Sequence, residues 1–335
     1  MAELIKLVRG RLASVLRIGL GVIVGAFFVV LVMRNVNFAE VGAILDRATV
    51  MPLVLAVVAF IADFLLRAVR FWMMLLSTTG RRLPLKPTIS PFIASFGMSD
   101  ILPLRAGDGL RILWFSRQFN ISAGIVIGTM IVERILDLVT IILLGGVCLA
   151  LVNGTVPPAL LLNFQLVLVI GLAGGFGMLF APALLCRLLE TLFGRIHFAP
   201  VVILIKTLKA TSAAVVQVGS WRRLVMLTLL SLVLWVLESL VFVGAWISLG
   251  GSVETLLKPF LAFVFSTLGT LVPSLPGHFG SFEFFGIQAF ALTGVDASTA
   301  AAVVLLAHLI LWAPTAIFGV GWVLFAAPGR AQNPA

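Results

Sequence analysis

The sequence predicts an all-α, polytopic transmembrane helical bundle with about six spans, two re-entrant hairpins and an inverted repeat of three plus three spans. Of the 335 residues, 61% are hydrophobic and only 11% are charged, and the mean hydropathy is +1.20. Soluble domains are about 45–50% apolar. Runs of about 20 apolar residues, long enough to cross a bilayer as a helix, recur along the chain. Sheet edges would be unpaired in lipid, so the spans are expected to be helices.

The net charge of +10 fits a membrane protein better than a nucleic-acid-binding protein. Most of the 23 lysines and arginines lie in short segments beside apolar runs, as the positive-inside rule describes. We therefore expect a multi-pass protein with a cytoplasmic N-terminus and no nucleic-acid partner. Cys148 and Cys186 lie in or beside apolar segments, so they are expected to be packing residues and not a disulfide.

The predicted spans cover the main apolar runs. The first run follows four cations, as in a secretory signal, but it ends at Asn35 without a small-residue cleavage site and is expected to be retained. We interpret residues 1–335 as a single integral membrane domain. The predicted spans are about 17–34, 50–76, 122–152, 159–185, 223–249 and 297–327.

Two apolar stretches, 90–104 and 259–276, are too short or too interrupted to be spans. They open with the similar sequences Pro-Phe-Ile-Ala and Pro-Phe-Leu-Ala, close on turns rich in proline and glycine, and lie about half the chain apart. We predict a re-entrant hairpin in each of two halves, repeat A (about 17–152) and repeat B (about 159–327). Three spans per half is an odd number, so the halves should be inverted, as in many secondary transporters. Chance similarity of the two stretches is the alternative.

The segment from about residue 187 to 222 is predicted to be a cytoplasmic amphipathic linker. It mixes cations with apolar residues at roughly helical spacing. Such a helix lies in the membrane interface with its cations toward anionic headgroups. We expect a scaffold element and not a site.

Charged residues inside the predicted spans mark candidate sites. Each costs at least about 2.5–3.5 kcal/mol at mid-bilayer, so it needs a partner, a cavity or a function. Glu133 and Asp137 share a helix face, and Arg134 either pairs with Asp137 or points into the bundle. These three residues are candidates for substrate binding, and an internal salt bridge between helices is the alternative. Arg67 and Arg70 either snorkel to water or meet a phosphate-bearing headgroup.

Both hairpins end in turns that carry polar side chains. Glycine lets backbone amides approach a ligand, and arginine presents a planar fork suited to phosphate or carboxylate. The further substrate-binding candidates are Arg105, Arg111, His278 and Glu283. The turn residues are Pro103, Gly107, Pro276, Gly277 and Gly280. We expect both turns to converge near mid-membrane and to line a hydrophilic pocket.

Glu238 and His308 are candidates for proton coupling. Glu238 has no cation nearby in the sequence, so burial can keep it protonated, and histidine can change charge near neutral pH. A hydrogen-bonded helix contact and a buried neutral histidine are the respective alternatives. The sequence contains no metal-ligand cluster, nucleophile motif or phosphate-binding glycine loop, so we predict no cofactor, no metal and no catalytic residue.

Four motifs in this order resemble the transmembrane region of the lysylphosphatidylglycerol synthase family, over about residues 15 to 327. The aminoacyl-transferase domain of the bifunctional synthases is not in this sequence, so aminoacylation of phosphatidylglycerol is not expected. Many relatives carry arginine where this sequence has His308. The motifs are Arg67 and Arg70; Pro103, Gly107 and Arg111; Glu133, Arg134 and Asp137; and Pro276, Gly277, Gly280 and Glu283.

The resemblance implies a flippase-like transporter in the bacterial cytoplasmic membrane. It would move or handle a polar-headgroup lipid: an aminoacylated phospholipid, a hopanoid or a polyprenyl-linked lipid. Its expected partners are membrane lipids and enzymes of lipid synthesis. A membrane-embedded enzyme or accessory subunit of lipid or glycolipid biosynthesis is the alternative, and a third interpretation treats the polar residues as helix contacts.

Overall fold

The computed structural model describes residues 2–151, 158–193 and 199–326. Within these residues the regular structure is entirely helical, which confirms the predicted fold class. Three short 3-10 turns, at Pro103–Arg105, Val253–Thr255 and Pro276–His278, connect some of the helices. The α-helices are α1 (Ala2–Asn35), α2 (Phe38–Leu45), α3 (Val50–Thr79), α4 (Lys86–Ile101), α5 (Ala106–Phe119), α6 (Ala123–Leu151), α7 (Pro158–Phe180), α8 (Pro182–Phe193), α9 (Ala199–Val218), α10 (Trp221–Ser248), α11 (Leu257–Gly269), α12 (Ser281–Leu292) and α13 (Ala297–Phe325).

In the part of the chain that the structure describes, four helices are long and apolar enough to cross a membrane: α3, α6, α10 and α13. They correspond to four of the six predicted spans. The first predicted span lies in α1, where Gly19–Asn35 forms with α2 an apolar pair bent by 81°. The total of six spans and the inverted repeat stay predictions.

The span predicted at 159–185 is interrupted. Helix α7 ends at Phe180, and α8 begins at Pro182. Proline disfavours helical backbone in the residue before it and is well suited to the first position of a new helix. The chain therefore changes helix at Ala181, four residues before the predicted boundary. The predicted linker at 187–222 covers the end of α8, all of α9 and the start of α10, and its residues 194–198 lie outside the described residues. Its position at a cytoplasmic surface stays a prediction.

The chain forms two compact units. Unit 1 consists of Met1–Phe60, Ile93–Arg111 and Ser239–Ala335. In it, α12 packs against α11, α13 and α1, and α13 also packs against α2. Aromatic pairs fill its interior, including Trp246 stacked on Phe290 with ring centroids 5.5 Å apart.

Close contact of α4 with α13 in unit 1 depends on a small residue. A β-carbon at Gly97 would collide with the backbone carbonyl of Thr315. Small residues at helix interfaces allow such close backbone approach in membrane proteins. Gly97 therefore sets the distance between α4 and α13.

Unit 2 consists of Ile61–Phe92 and Ile112–Glu238. In it, α6 packs against α7 and α9, and α8 packs against α9. Lys209 of α9 forms an ion pair with Glu190 of α8. Phe71 is buried between the rings of Phe92 and Phe115, with centroids 5.3 and 5.2 Å away.

Candidate functional site

The first predicted hairpin is a pair of short helices, α4 and α5, joined by a sharp turn in unit 1. Helix α4 has 16 residues, about 24 Å at 1.5 Å per residue, which is shorter than a hydrocarbon core of about 30 Å. At the turn, Leu104 and Arg105 have left-handed backbone, with φ of 58° and 53°. A β-carbon at Gly107 would collide with the Ser95 carbonyl and the Ser99 amide, so this glycine lets α5 start against α4.

Polar side chains hold the two arms of the first hairpin together. The Ser99 hydroxyl donates to Asp108 Oδ1 at 3.2 Å. Arg111 Nε donates to Ser95 Oγ at 2.8 Å, and the Arg111 guanidinium lies 4.3 Å from the centre of the Phe96 ring. Arg111 is fully buried. These contacts therefore surround its positive charge inside the hairpin.

The second hairpin has the same plan in α11 and α12. Helix α11 has 13 residues and α12 has 12, about 20 and 18 Å. Gly277 and His278 are left-handed, with φ of 71° and 62°, and Gly280 has φ of 94°. Glu283 caps the start of α12 by accepting the Gly280 N–H at 2.7 Å.

The two turns share a conformation and contact each other. In both, a proline starts a 3-10 turn and the next two residues are left-handed: Leu104 and Arg105 in one, Gly277 and His278 in the other. The Arg105 Nη1 and His278 Nε2 atoms lie 3.4 Å apart. The two turns therefore meet in unit 1, as predicted. Their position near mid-membrane, the hydrophilic pocket and their entry from opposite membrane faces stay predictions.

His308 of α13 anchors the second turn. Its Nδ1 contacts Glu283 Oε1, and its Nε2 lies 2.9 Å from the Gly277 carbonyl oxygen. The rings of Phe279 and Phe282 flank the imidazole, with centroids 4.7 and 4.3 Å away. His308 thus joins the last helix to both sides of the turn.

Unit 2 contains a buried ion network centred on two arginines of α3. Arg67 Nε donates to Asp63 Oδ2 at 2.7 Å, and its Nη2 donates to Glu238 of α10. The guanidinium also lies 4.7 Å from the centre of the Trp235 ring. Because Arg67 is only 4% exposed, these contacts replace the water that the charge loses.

Arg70 connects three helices in this network. Its Nη1 donates to Asp137 Oδ1 of α6 at 2.7 Å and to Ser231 Oγ of α10 at 2.6 Å. Its Nη2 lies 3.5 Å from Glu133 Oε1. Asp137 Oδ1 also accepts the Trp235 indole N–H at 3.3 Å. These contacts form the interhelical salt bridge that the sequence offered as an alternative to a substrate site.

A comparison with known families agrees with these motifs. The family model described as "Lysylphosphatidylglycerol synthase TM region" matches residues 18–319. The chain belongs to this family. Members of the lysylphosphatidylglycerol synthase transmembrane-region family are membrane proteins linked to lipid handling. No curated protein matches the chain.

The structure of this family member shows the surroundings of three candidate residues. Arg67 and Arg70 do not snorkel to water, because both are buried and paired with carboxylates. Glu238 does have a cation beside it, since Arg67 reaches it from 171 residues away in the sequence. A role of Glu238 in proton coupling stays a prediction.

The remaining predicted site residues lie close to these networks. Arg134 is partly buried and follows Glu133 on α6. Within the described residues, no group of three or more histidine, cysteine or acidic side chains is placed to hold a metal ion. Assignment of any of these residues to substrate binding stays a prediction.

The polar contacts include hydroxyl and indole groups that were not expected from the sequence: those of Ser95, Ser99, Ser231 and Trp235. A pattern on α10 would have found two of them, because Ser231, Trp235 and Glu238 have the i, i+4, i+7 spacing of one helix face. Ser95 lies on α4 four residues before Ser99, and both hydroxyls face α5. Hydroxyls in apolar helices at such spacing indicate a polar helix contact.

Proposed function

We propose that this family member is a lipid flippase-like transporter of the bacterial cytoplasmic membrane, with its N-terminus in the cytoplasm. In this proposal the two hairpin turns of unit 1 engage the polar headgroup of a lipid. The acyl chains remain in the bilayer. Broken helices at membrane depth are tolerated where they line a cavity or a protein interior, and transporters use such helices for their binding sites.

One observation carries the proposal: the contact between Arg105 and His278, which joins the two turns. The Arg105 side chain is 41% exposed, although Asp108 lies 3.5 Å away. In contrast, the Arg67, Arg70 and Arg111 side chains are buried. Arg105 therefore has donors that an entering phosphate or carboxylate can reach, and arginine binds such groups through its planar fork.

A transport assay in liposomes that contain the purified full chain tests the proposal. The liposomes carry one of three fluorescently labelled lipids: phosphatidylglycerol, a lysyl-lipid or a polyprenyl phosphate. Quenching from outside measures how fast each lipid changes leaflet. We expect the wild type to accelerate at least one of them. Arg105→Gln should slow the movement of that lipid between leaflets by about tenfold, because the loss of one hydrogen bond to a charged group has an effect of this size.

Arg117→Gln is the matched control, because Arg117 is an exposed cation at the other end of α5. It should move lipid at the wild-type rate. Equal rates for liposomes with and without wild-type protein, for all three lipids, would contradict the proposal. Chemical conversion of a lipid by the purified protein would instead favour the alternative of a membrane enzyme.

A further inference from the structure

The hydrogen bonds of His308 determine how many protons its site holds. The Gly277 carbonyl oxygen can only accept, so the His308 Nε2 atom, 2.9 Å away, carries a hydrogen. The contact between Nδ1 and Glu283 Oε1 then needs a second hydrogen, on the ring or on the carboxyl group. The pair therefore holds one proton more than a neutral histidine next to a carboxylate.

We propose that the Glu283–His308 pair is a proton-binding site that holds the second hairpin turn in its observed conformation. When the extra proton leaves, the ring has one N–H for two acceptors. One of its two hydrogen bonds is then lost. Both side chains are buried, at 4% and 5% exposure, so water does not readily replace the missing partner, and an unsatisfied buried group is unfavourable.

Loss of either bond loosens the same turn. Gly277 bonds to His308 directly, and Gly280 bonds to it through Glu283 Oε2 at 2.7 Å. These two glycines, with their left-handed backbone, enclose His278, whose ring contacts Arg105. The proton thus controls the segment that brings His278 to the first turn.

The aromatic side chains around His308 favour this control of the turn by the proton. The rings of Phe279 and Phe282 lie on the imidazole with interplanar angles of 35° and 30°, which restricts its rotation to find another partner. Helices α12 and α13 carry no other titratable side chain, apart from the α13 cap Asp296. The other titratable groups of unit 1 whose side chains the structure describes are Arg34, Glu40, Asp46, Arg47, Asp100, Arg105, Asp108, Arg111, Glu254, Lys258 and His278.

Glu283→Gln is the decisive variant, because its amide supplies the second hydrogen of the pair at every pH and removes the carboxyl group. The glutamine N–H can donate to His308 Nδ1 while its oxygen accepts from Gly280. Hydrogen exchange of the amides at 275–283, in the full chain in detergent and corrected for the intrinsic pH dependence, reports the turn. The pH range is about 5 to about 8, where histidines usually change charge.

In the wild type we expect protection of the turn to fall by about tenfold as the pH rises. Glu283→Gln should keep its protection across the range, and His308→Phe should be weakly protected throughout. His278→Gln is the control, since this second histidine lies outside the pair, and it should keep the wild-type response. This readout needs no lipid, so its result is independent of the proposed transport.

Three results would overturn the proposal. One is equal protection of the wild-type turn at both ends of the pH range. Another is a wild-type response that persists in Glu283→Gln, since that variant has no carboxyl group to titrate. The third is a response that disappears in His278→Gln. Should His308→Phe not fold, the comparison of the wild type with Glu283→Gln still decides among these outcomes.

Discussion

Arg70 Nη1 donates to Asp137 Oδ1 at 2.7 Å, inside an apolar unit where Arg70 has no exposed surface. The bond joins α3 to α6, and Ser231 of α10 accepts from the same nitrogen. Because a buried charge without partners is strongly unfavourable, these three helices must assemble together around the guanidinium. We therefore expect the network to be required for folding of unit 2.

Arg70→Met should destabilise the protein by about 3–5 kcal/mol, because it leaves Asp137 and Glu133 buried without this cation. Unfolding of the purified protein in mixed micelles measures the change. Arg82→Gln, at an exposed cation just after α3, is the control and should lie within about 0.5 kcal/mol of the wild type. Equal stability of the two variants would show that Arg70 is not required for folding.

Arg67→Lys should also be destabilising although it keeps the charge. Arg67 donates from Nε to Asp63 and from Nη2 to Glu238, with its guanidinium on the Trp235 ring. A lysine ammonium is a compact point charge that lacks this planar fork. We expect a loss of about 2 kcal/mol, the value of one hydrogen bond to a charged group.

The same unfolding assay, applied to Arg67→Lys with and without Glu238→Gln, separates the two contacts. If lysine loses the bond to Glu238, the second substitution should cost less in the lysine background than in the wild type. Additive effects of the two substitutions would mean that lysine keeps the Glu238 contact.

Sequence spacing predicted the contacts within one helix and the turns, but not the contacts between helices. Asp63 and Arg67 lie four residues apart, which places them on one helix face, and proline with glycine marked both hairpin turns. Partners such as Arg70 and Asp137 are 67 residues apart, and their proximity depends on how α3 and α6 pack. No local pattern contains that information.

The contact between His308 and Glu283 shows the same limit of sequence-based prediction. The sequence identified it as a titratable residue in an apolar helix, which is correct, and identified Glu283 separately as part of the second turn. Their contact joins α13 to α12 across 25 residues. The left-handed turn at Gly277 also points a carbonyl at the same ring, and backbone direction at a turn is not encoded in hydropathy.

Gly97→Ala should destabilise unit 1, whereas Gly109→Ala should not. A β-carbon at Gly97 would meet the Thr315 backbone, which cannot move without shifting α13, but a β-carbon at Gly109 would meet open space. Overpacking of this kind costs about 1–3 kcal/mol. Alanine at an open helical position gains about 0.5–1 kcal/mol over glycine. Thermal unfolding of both variants in detergent compares them, and similar midpoints would contradict the close packing of α4 on α13.

Asp296 should make the start of α13 sensitive to acid. Its carboxylate accepts the Thr299 backbone N–H at 2.8 Å, and this hydrogen bond holds the pKa of Asp296 below its usual value of 3.8. A carboxyl group with a lowered pKa in the folded state stabilises that state above the unfolded pKa. The contribution is lost as the pH falls through the folded pKa.

Asp296→Ala should therefore lower stability by about 1 kcal/mol at neutral pH, the usual effect of removing a helix N-cap. The difference from the wild type should shrink as the pH falls below about 4, where the wild-type carboxyl group also becomes protonated. Asp296→Asn is the matched variant, because its amide oxygen can cap the helix without titrating. Its stability relative to Asp296→Ala should not change over this pH range. A gap between the wild type and Asp296→Ala that stays constant down to about pH 3 would show that the cap does not depend on the charge of Asp296.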